Sequence, residues 1–441
     1  MLKRKIEAAL AEWKADPNRK PLIIKGVRQC GKTASVKDFA AKNYEHVIYL
    51  NFFEKPKYIS IFEESLAVDD LIMNISSYPE LEAVFEPGKT VLIFDEIQEC
   101  PDARTALKFI KIDGRFDVIG TGSLLGVRGY GKNKRLKSVP VGYETTIDMG
   151  PMDFEEFLWA NGMPEEIIGK LKEYLEEEKP VPEAMHHQFR KLFLQYAVVG
   201  GMPEVVQAFV DTKQLNTVLR LQRNIVRDYE DDMVKYADEK DKPHIRECFE
   251  SIPRQLSKEN KKFQYSTVKK GARSEQYTGS LQWIEDAGIT VRCRNLSITE
   301  LPLDGNAEQD TFKVYVKDNG LFISMLEDGT QTSVLNGNLY GYKGAIFENL
   351  IADVLSKMGR KIYYFRKDTG LEIDFVIRYK GECVPLEVKA KTGNAKSLKT
   401  VMNHPEKYHV DHAIKLGDYN VGRMDKILTL PLYMAFLLTE Y

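Results

Sequence analysis

Residues 26–33 combine glycines, a lysine and a hydroxyl at a spacing that suits phosphate binding. A short apolar run ends at Gly26, and the following residues match the pattern G-x-x-x-x-G-K-[ST]. The glycines let backbone N–H groups face a ligand, and the start of a helix adds partial positive charge. Lys32 can reach the β- and γ-phosphates, and Thr33 can ligate Mg²⁺. The predicted nucleotide-binding residues are Gly26, Val27, Arg28, Gln29, Cys30, Gly31, Lys32 and Thr33.

Asp95 and Glu96 follow an apolar run, Val-Leu-Ile-Phe, that is typical of a strand buried on both faces of a parallel sheet. The two carboxylates would lie at the sheet edge where α/β proteins bind ligands. We predict that Asp95 holds the Mg²⁺ shell and that Glu96 orients or deprotonates the attacking water. The alternative is a solvated pair at a strand end. After the next strand, Thr121 or Ser123 is expected to sense the γ-phosphate, and the sequence does not choose between them.

The carboxylates near the C-terminus have the layout of a restriction-endonuclease-like core. Strand alternation places Asp374 on one strand and Glu387 with Lys389 on the next, and Glu348 lies on a preceding helix. Asp374 and Glu387, helped by Glu348, would hold one or two Mg²⁺ ions, and Lys389 would position or activate a water. The alternative is a nuclease-like scaffold kept for binding, with Lys389 paired to the carboxylates.

Basic residues precede the third helix of a predicted winged-helix module at residues 241–335. Three helices followed by a hairpin are the winged form of helix-turn-helix. The basic residues alternate with Phe263 and Tyr265, which suits phosphate contacts and groove entry on DNA. Winged helices also serve as protein–protein spacers, so this alternative stays open. The candidate DNA-binding residues are Lys261, Lys262, Lys269, Lys270 and Arg273.

The elements that position the N-terminal residues alternate between strand and helix, which indicates an α/β fold with a parallel sheet. Strands are predicted to end at Gly26, to span 46–51 and 116–120, and to end at the two carboxylates Asp95 and Glu96, with helical material at 58–81. The next helices, predicted at 154–162, 165–178, 186–199 and 215–235, would form a lid that closes on the nucleotide. The predicted domains are a P-loop core at 1–150, a helical lid at 151–240, the winged-helix module at 241–335 and the nuclease-like domain at 336–441.

The combined motifs resemble a prokaryotic family of AAA-type ATPases with a C-terminal domain of unknown function. The matching segments are R-Q-C-G-K-T, F-D-E-I-Q, G-T-G-S-L-L-G, P-M-D-F-E-E-F-L, G-G-M-P-E and, near the end, E-I-D-F-V with P-L-E-V-K-A. The resemblance implies an AAA-type core and an oligomer in which a neighbouring copy supplies an arginine. Many relatives carry an arginine where this chain has Tyr143, so Arg128 and Arg135 are the better candidates.

The composition is that of a soluble protein. The chain has 441 residues, a formal net charge of -2 and 43% hydrophobic residues, so nucleic-acid binding would need a local basic patch. Five scattered cysteines with no C-x-x-C pair argue against a disulfide framework or a zinc site and suit a reducing cytosol. No signal peptide or membrane span is expected, and we predict a cytoplasmic location.

These patterns together predict a Mg²⁺-dependent ATPase that acts on DNA through a winged helix and a nuclease-like domain. The expected ligands are ATP and Mg²⁺, and the expected partners are DNA and further copies of the chain. The alternative is a nucleotide-switched DNA-binding, scaffold or signalling protein whose nuclease-like domain is inactive.

Overall fold

The computed structural model describes residues 1–123, 142–236, 241–337, 343–390 and 395–439. The chain divides into two compact units. The first comprises Met1–Pro151, Asp231–Glu239 and Asp286–Gly288, and the second comprises Met152–Glu230, Lys240–Glu285 and Ile289–Tyr441. The first unit is close to the predicted core at 1–150. Most of the other three predicted segments lie together in the second unit.

A five-stranded parallel sheet forms the centre of the first unit. Its strands are β1 (Leu22–Gly26), β2 (His46–Asn51), β3 (Thr90–Asp95), β4 (Asp117–Ser123) and β5 (Thr145–Met149). They lie in the order β2-β3-β4-β1-β5, and every neighbouring pair is parallel. Their carboxyl ends therefore meet at one edge of the sheet. The edge strand β5 was not predicted, because Met149 is its only buried residue and no apolar run marks it.

Within the part of this unit that the structure describes, four α-helices accompany the sheet. They are α1 (Ile6–Ala15), α2 (Lys32–Asn43), α3 (Val68–Ser76) and α4 (Pro101–Asp113). Helix α4 packs the side chains of Ala103, Leu107 and Ile110 into the core beside β3. The stretch predicted as helical at 58–81 is α3 flanked by the short 3-10 turns Pro56–Phe62 and Pro79–Leu81, since a proline opens each turn.

The second unit begins with helices, as predicted for the lid segment. They are α5 (Phe154–Ala160), α6 (Glu165–Glu176), α7 (Glu183–Val199), α8 (Pro203–Thr212) and α9 (Leu215–Tyr236). Asp153 starts α5 by accepting the N–H of Glu156 at 2.9 Å, and the Glu156 carboxylate accepts the N–H of Asp153 at 3.0 Å. This reciprocal capping explains part of the P-M-D-F-E-E-F-L segment. Helix α8 was not predicted as a helix.

The turn between α7 and α8 accounts for the two glycines of the G-G-M-P-E segment. A Cβ atom on Gly201 would lie 1.9 Å from the carbonyl oxygen of Met152. Gly200 has φ of 73°, and a Cβ atom there would lie 2.1 Å from a carboxylate oxygen of Asp318. That carboxylate also accepts the N–H of Gly201 at 2.7 Å. Only glycine fits both positions, so this segment is explained by packing within the second unit.

Residues 241–335 contain the predicted three helices followed by a hairpin. The helices are α10 (Lys242–Leu256), α11 (Tyr265–Val268) and α12 (Ser274–Asp286), and the strands are β6 (Thr290–Leu296) and β7 (Ala307–Val316). Strand β7 pairs with β6 in antiparallel fashion, and β6 pairs on its other side with β8 (Ile362–Arg366). The predicted domain boundary at residues 335 and 336 therefore does not separate two sheets. The backbone N–H and C=O groups on the second edge of β6 form their hydrogen bonds with β8, which lies beyond that boundary in the chain.

The sheet that includes this hairpin has eight strands in the order β12-β13-β11-β10-β9-β8-β6-β7. The remaining strands are β9 (Glu372–Tyr379), β10 (Glu382–Val388), β11 (Ala413–Gly417), β12 (Gly422–Met424) and β13 (Ile427–Pro431). The helices of this part are α13 (Asn319–Ser324), α14 (Thr330–Leu335), α15 (Lys343–Lys357), α16 (Lys396–Met402) and α17 (Pro405–Tyr408). The hairpin of β9 and β10 was predicted and carries the C-terminal carboxylates.

Two general features complete the fold. The five cysteines are all buried and free, in agreement with the absence of a predicted disulfide framework. Within the described ranges, no helix combines the length and the apolar character needed to cross a membrane.

Candidate functional site

The loop from β1 to α2 has the backbone shape that its glycines predict. Gln29 and Gly31 have positive φ, at 61° and 96°. A Cβ atom on Gly26 would lie 2.1 Å from the carbonyl oxygen of Met149 at the end of β5. The loop thus depends on glycine at Gly26 for space and on glycine at Gly31 for backbone conformation. It opens into α2 at Lys32, so the helix N-terminus faces the space that the loop surrounds.

Arg4, which was not predicted from the sequence as a site residue, forms hydrogen bonds that fix this loop. Its guanidinium donates to the carbonyl oxygen of Cys30 at 2.7 Å and to that of Gly150 at 2.8 Å. The Cys30 thiol also contacts the carbonyl oxygen of Met149 at 3.3 Å. Arg4 is 6% exposed, so these bonds form away from water. No motif marks an arginine just before α1, and its role follows only from the fold.

Lys32 and Thr33 place their polar atoms at the same edge of the sheet. The buried Lys32 Nζ donates to the carbonyl oxygens of Gly26 and Val27, at 3.1 and 2.9 Å. Thr33 Oγ1 lies 3.1 Å from Asp95 Oδ1 and 3.2 Å from Oδ2. The predicted pair of hydroxyl and carboxylate therefore meets, although the residues are far apart in the chain.

Asp95 is 2% exposed and accepts hydrogen bonds from four side chains. Besides Thr33, these are Thr121 on β4 and two residues of β2, Tyr49 at 2.6 Å and Asn51 at 3.2 Å. Of the two hydroxyls predicted as alternatives on β4, that of Thr121 contacts Asp95, while Ser123 is buried at the end of β4 opposite Gly26. Tyr49 and Asn51 were not predicted. The parallel register of β2 and β3 pairs Asn51 with Asp95, and this register places the side chains of both Tyr49 and Asn51 beside the carboxylate.

Glu96 follows Asp95 with φ of 52°, a left-handed conformation that is uncommon for a residue with a side chain. The Glu96 carboxylate is half-buried and accepts a hydrogen bond from the side chain of Gln98. Backbone strain of this kind costs about 1–3 kcal/mol and occurs often at functional sites. The left-handed backbone at Glu96 thus ends the extended conformation of β3 directly after Asp95.

Arg28, the remaining charged residue of the loop, forms an ion pair with Asp232, with Nε and Oδ2 2.7 Å apart. Asp232 belongs to the end of α9 that the first unit includes. The proposed arginine-finger residues Arg128 and Arg135 lie outside the described residues.

The predicted C-terminal carboxylates meet on the hairpin of β9 and β10. The N–H of Val388 donates to Asp374 Oδ2 at 2.8 Å, and Lys389 Nζ lies 2.5 Å from Glu387 Oε1. The other oxygen of Glu387, Oε2, is buried without a hydrogen-bond partner. Burial, with the nearby carboxylates of Glu387 and Glu348, raises the pKa of Asp374 to about 7. Burial also raises the pKa of Glu387. An unpartnered oxygen beside a second carboxylate is a chemical fit for a cation.

Glu348 has a different environment from the one predicted. Lys313 Nζ lies 2.8 Å from Glu348 Oε1, and Lys261 and Tyr315 also donate to this carboxylate. Burial alone would raise the pKa of Glu348, but the ammonium groups of Lys313 and Lys261 hold it at about 2. Lys313 also contacts Glu372 at 2.8 Å. Both oxygens of Glu348 are thus occupied by protein donors.

Among the described residues, one group of three side chains, Glu45, His46 and Glu86, has potential metal-ligand atoms that all lie within 4.8 Å of one another. The C-terminal carboxylates do not form such a group. Glu348, Asp374 and Glu387 therefore do not form a three-ligand cluster in this arrangement. Of these three carboxylates, Asp374 and Glu387 are the two whose oxygens suit a divalent cation.

The five candidate DNA-binding residues do not form one free patch. Lys261 is bonded to Glu348, Lys262 donates to Thr311 at 3.4 Å, and Lys269 pairs with Glu247 at 2.9 Å. Lys270 and Arg273 are exposed. The interleaved Phe263 is buried and stacks on Phe312 in β7, so this aromatic belongs to the core. A run of basic residues cannot reveal which of them find acidic partners in the fold.

Three family models match separate parts of the chain. Residues 18–158 match the model of an AAA domain, and this range contains the loop at 26–33, Asp95 and Glu96. Residues 190–332 and 343–433 match two domains of unknown function, DUF8612 and DUF4143. No curated protein matches the chain.

Solved structures that match the chain include a Walker-type ATPase, PABY2304, of Pyrococcus abyssi. It is 14% identical with a TM-score of 0.43, over 74% of this chain and 96% of that one. The Aeropyrum pernix ORC2 protein is 15% identical with a TM-score of 0.37, over 76% and 93%. Domain III of the Thermotoga maritima replication initiation protein DnaA is 16% identical with a TM-score of 0.26, over 55% and 91%. The family match at residues 18–158 and the geometry of the loop at 26–33 together indicate an AAA-type domain in the first unit.

Proposed function

We propose that the chain is a Mg²⁺-dependent ATPase whose nucleotide site is formed by residues 26–33 with Asp95 and Glu96. The observation that carries this proposal is the 3.1 Å approach of Thr33 Oγ1 to Asp95 Oδ1, beside the buried ammonium of Lys32. A hydroxyl and a carboxylate next to a helix N-terminus are the groups that a P-loop uses for a metal-bound nucleotide.

Each side chain has one task in this proposal. Lys32 exchanges the carbonyl oxygens of Gly26 and Val27 for phosphate oxygens. Thr33 and Asp95 would hold Mg²⁺, which would supply positive charge next to the phosphates. Glu96 orients the attacking water and accepts its proton, and the water forms the new bond to the γ-phosphorus as the bond to the β–γ bridging oxygen breaks.

ATP binding and turnover by four variants test this function. Lys32→Ala is expected to lose nucleotide binding, and Glu96→Gln is expected to retain binding while turnover falls at least about 100-fold. Lys42→Ala is the control for the first, because Lys42 is exposed on the same helix and pairs with Asp38. Glu99→Gln controls for the second, since Glu99 lies in the adjacent turn. Tight ATP binding by Lys32→Ala would refute the assignment.

A second candidate function is DNA cleavage or remodelling by the second unit. Glu387 Oε2, buried without a partner next to Asp374, favours a cation site that polarises a phosphodiester, with Lys389 positioning the water. The occupied oxygens of Glu348 favour the alternative in which this part binds without cutting. Glu348 is therefore left out of the proposed metal ligands.

Cleavage assays with Mg²⁺ and Mn²⁺ on single-stranded, duplex and branched DNA separate these alternatives. Cutting that disappears in Glu387→Gln supports the nuclease assignment, and cutting that survives removes it. The matched control is Glu382→Gln, an exposed residue on the same strand. Absence of cutting on all DNA forms favours the binding-only alternative.

DNA contact is proposed for the exposed Lys270 and Arg273. Their reversal to glutamate is expected to reduce the dependence of affinity on salt concentration, since each lost phosphate contact removes about one unit of slope. Lys172→Glu on α6 is the control, because Lys172 is an exposed lysine of the same unit. If the unmodified chain shows no salt-dependent DNA binding, the result would instead support a scaffold or signalling protein that does not contact DNA.

Self-association is part of the proposal, because AAA-type sites commonly receive an arginine from a neighbouring copy. Light scattering with and without ATP measures the mass of the assembly. If a neighbour supplies the arginine, Arg128→Ala or Arg135→Ala lowers turnover, and mixing with Glu96→Gln chains restores it.

A further inference from the structure

Asn51 connects the metal-binding carboxylate to the backbone after β2. The Asn51 Oδ1 atom accepts the N–H of Phe53 at 3.0 Å and the N–H of Glu54 at 2.8 Å. A backbone N–H can only donate, so these two bonds assign the oxygen of the side-chain amide. The amide nitrogen must then face the opposite direction, toward Asp95 Oδ2 at 3.2 Å and the Tyr49 hydroxyl at 3.0 Å.

The hydrogen atoms of this network can all be assigned. The Asn51 amide has two protons, of which one faces Asp95 and the other the Tyr49 oxygen. Because the Tyr49 oxygen accepts from Asn51, its single proton is available to Asp95 Oδ2, 2.6 Å away. Lys37 Nζ lies 3.5 Å from the centre of the Tyr49 ring and holds it from the α2 side.

The two oxygens of Asp95 therefore have different neighbours. Tyr49 and Asn51 bind Oδ2, while Thr121 binds Oδ1 and Thr33 lies within reach of both. Donors from β2 thus fix the orientation of the carboxylate from its Oδ2 side, while Oδ1 lies on the side of Thr33 and Thr121. Groups that orient a ligand in this way commonly change metal affinity by about 10- to 100-fold when removed.

We infer that Tyr49 and Asn51 are positioning residues for Asp95, and that Asn51 couples occupancy of the metal–nucleotide site to the turn at Phe53 and Glu54. The inference rests on the proposed ATP site. A shift of Asp95 toward a bound metal changes its bonds to Tyr49 and Asn51, and Asn51 passes the shift to the two backbone N–H groups. Phe53 is 57% exposed, so the turn presents this change at the surface of the first unit.

Tyr49→Phe tests the positioning role, because it removes one hydroxyl and keeps the ring beside Lys37. Mn²⁺ affinity, measured with a non-hydrolysable ATP analogue, is expected to fall by roughly tenfold, with little change in metal-free binding of the analogue. Tyr44→Phe is the matched control. The Tyr44 hydroxyl also donates to a carboxylate of the same unit, that of Asp117 at 2.8 Å, but at a different place. Equal Mn²⁺ affinity in the two variants would overturn the positioning role.

Hydrogen exchange at the amides of Phe53 and Glu54 tests the coupling. In the unmodified chain, metal and analogue together are expected to change the exchange rates of both amides by severalfold. Asn51→Asp keeps an oxygen for the two N–H groups but cannot donate to Asp95, so the change is expected to disappear while the turn stays protected. Unchanged exchange in the unmodified chain, despite bound analogue, would overturn the coupling. If the unmodified chain binds no analogue, the proposed function and this inference are refuted together.

Discussion

Lys313 and Glu348 form a buried ion pair, with Lys313 Nζ 2.8 Å from Glu348 Oε1 and the two side chains 1% and 3% exposed. The same ammonium contacts Glu372, so it balances two carboxylates of the second unit. We expect Lys313→Ala to lower the free energy of unfolding by about 3–5 kcal/mol, because it leaves buried charge without a partner. Urea denaturation measures this change.

Lys361→Ala is the control for that prediction. Lys361 pairs with Asp304, but its side chain is 71% exposed. Exposed pairs contribute at most about 1 kcal/mol, so the variant should unfold nearly as the original chain does. Similar losses in the two variants would contradict the importance given to burial.

Gly201→Ala is expected to destabilise the second unit by about 1–3 kcal/mol, the usual cost of forcing extra volume into a packed region. The added Cβ atom would meet the carbonyl oxygen of Met152. Gly169→Ala supplies a contrast, because Gly169 lies inside α6 with no atom near its virtual Cβ. Alanine there should stabilise the helix by about 0.5–1 kcal/mol. Thermal unfolding of both variants checks the opposite signs.

Arg4→Ala is expected to weaken ATP binding by roughly tenfold, the effect of losing a charged hydrogen bond of about 1.4 kcal/mol. The loop at Cys30 and the chain at Gly150 would lose their common donor. Arg4→Lys should not restore binding, since one ammonium does not reproduce the fork geometry of a guanidinium. Lys5→Ala, an exposed neighbour, serves as the control. Calorimetric titration with ATP measures the difference, and unchanged affinity in Arg4→Ala would contradict this role of Arg4.

The contribution of His186 to the stability of the second unit should fall as the pH decreases below about 6.5. Burial lowers the pKa of His186 from its usual 6.5, and its Nδ1 lies 2.9 Å from the Tyr433 hydroxyl. The folded state therefore favours the neutral ring, so its contribution is complete above pH 6.5 and is lost as the pH falls through the lowered pKa. The charged or titratable groups around the ring are Glu183, His187, Arg190 and Asp418.

His186→Gln is expected to remove this contribution from the acid limb of the stability curve, measured as the change in urea midpoint between pH 7 and pH 5 relative to the original chain. The adjacent His187 has a side chain that is 67% exposed, so His187→Gln should leave the limb unchanged. An unchanged limb in His186→Gln would assign the pH dependence to other groups.

Much of the first unit was predictable, because its signals are local. The loop at 26–33 needs glycine at particular backbone angles, and the buried strand before Asp95 is a continuous apolar run. The same is true of the hairpin that carries Asp374 and Glu387. The family match at residues 18–158 agrees with the prediction of an AAA-type core.

Contacts between residues that are distant in the sequence were not predictable. Arg4, Tyr49 and Asn51 reach the nucleotide site through strand order and register, which no short segment encodes. The pairing of β6 with β8 likewise joined the predicted hairpin to the C-terminal sheet. In the sequence, Lys261 is one residue of a basic run, and only the folded structure shows that it forms an ion pair with Glu348.

The sequence by itself determined the phosphate loop, because backbone angles and side-chain chemistry there depend on residues adjacent in the chain. The tertiary structure alone decided which side chains hold Asp95 and which lysines occupy Glu348. Those contacts join residues tens of positions apart, and they form only when parallel strands bring their ends to one edge and burial makes each charge find a partner.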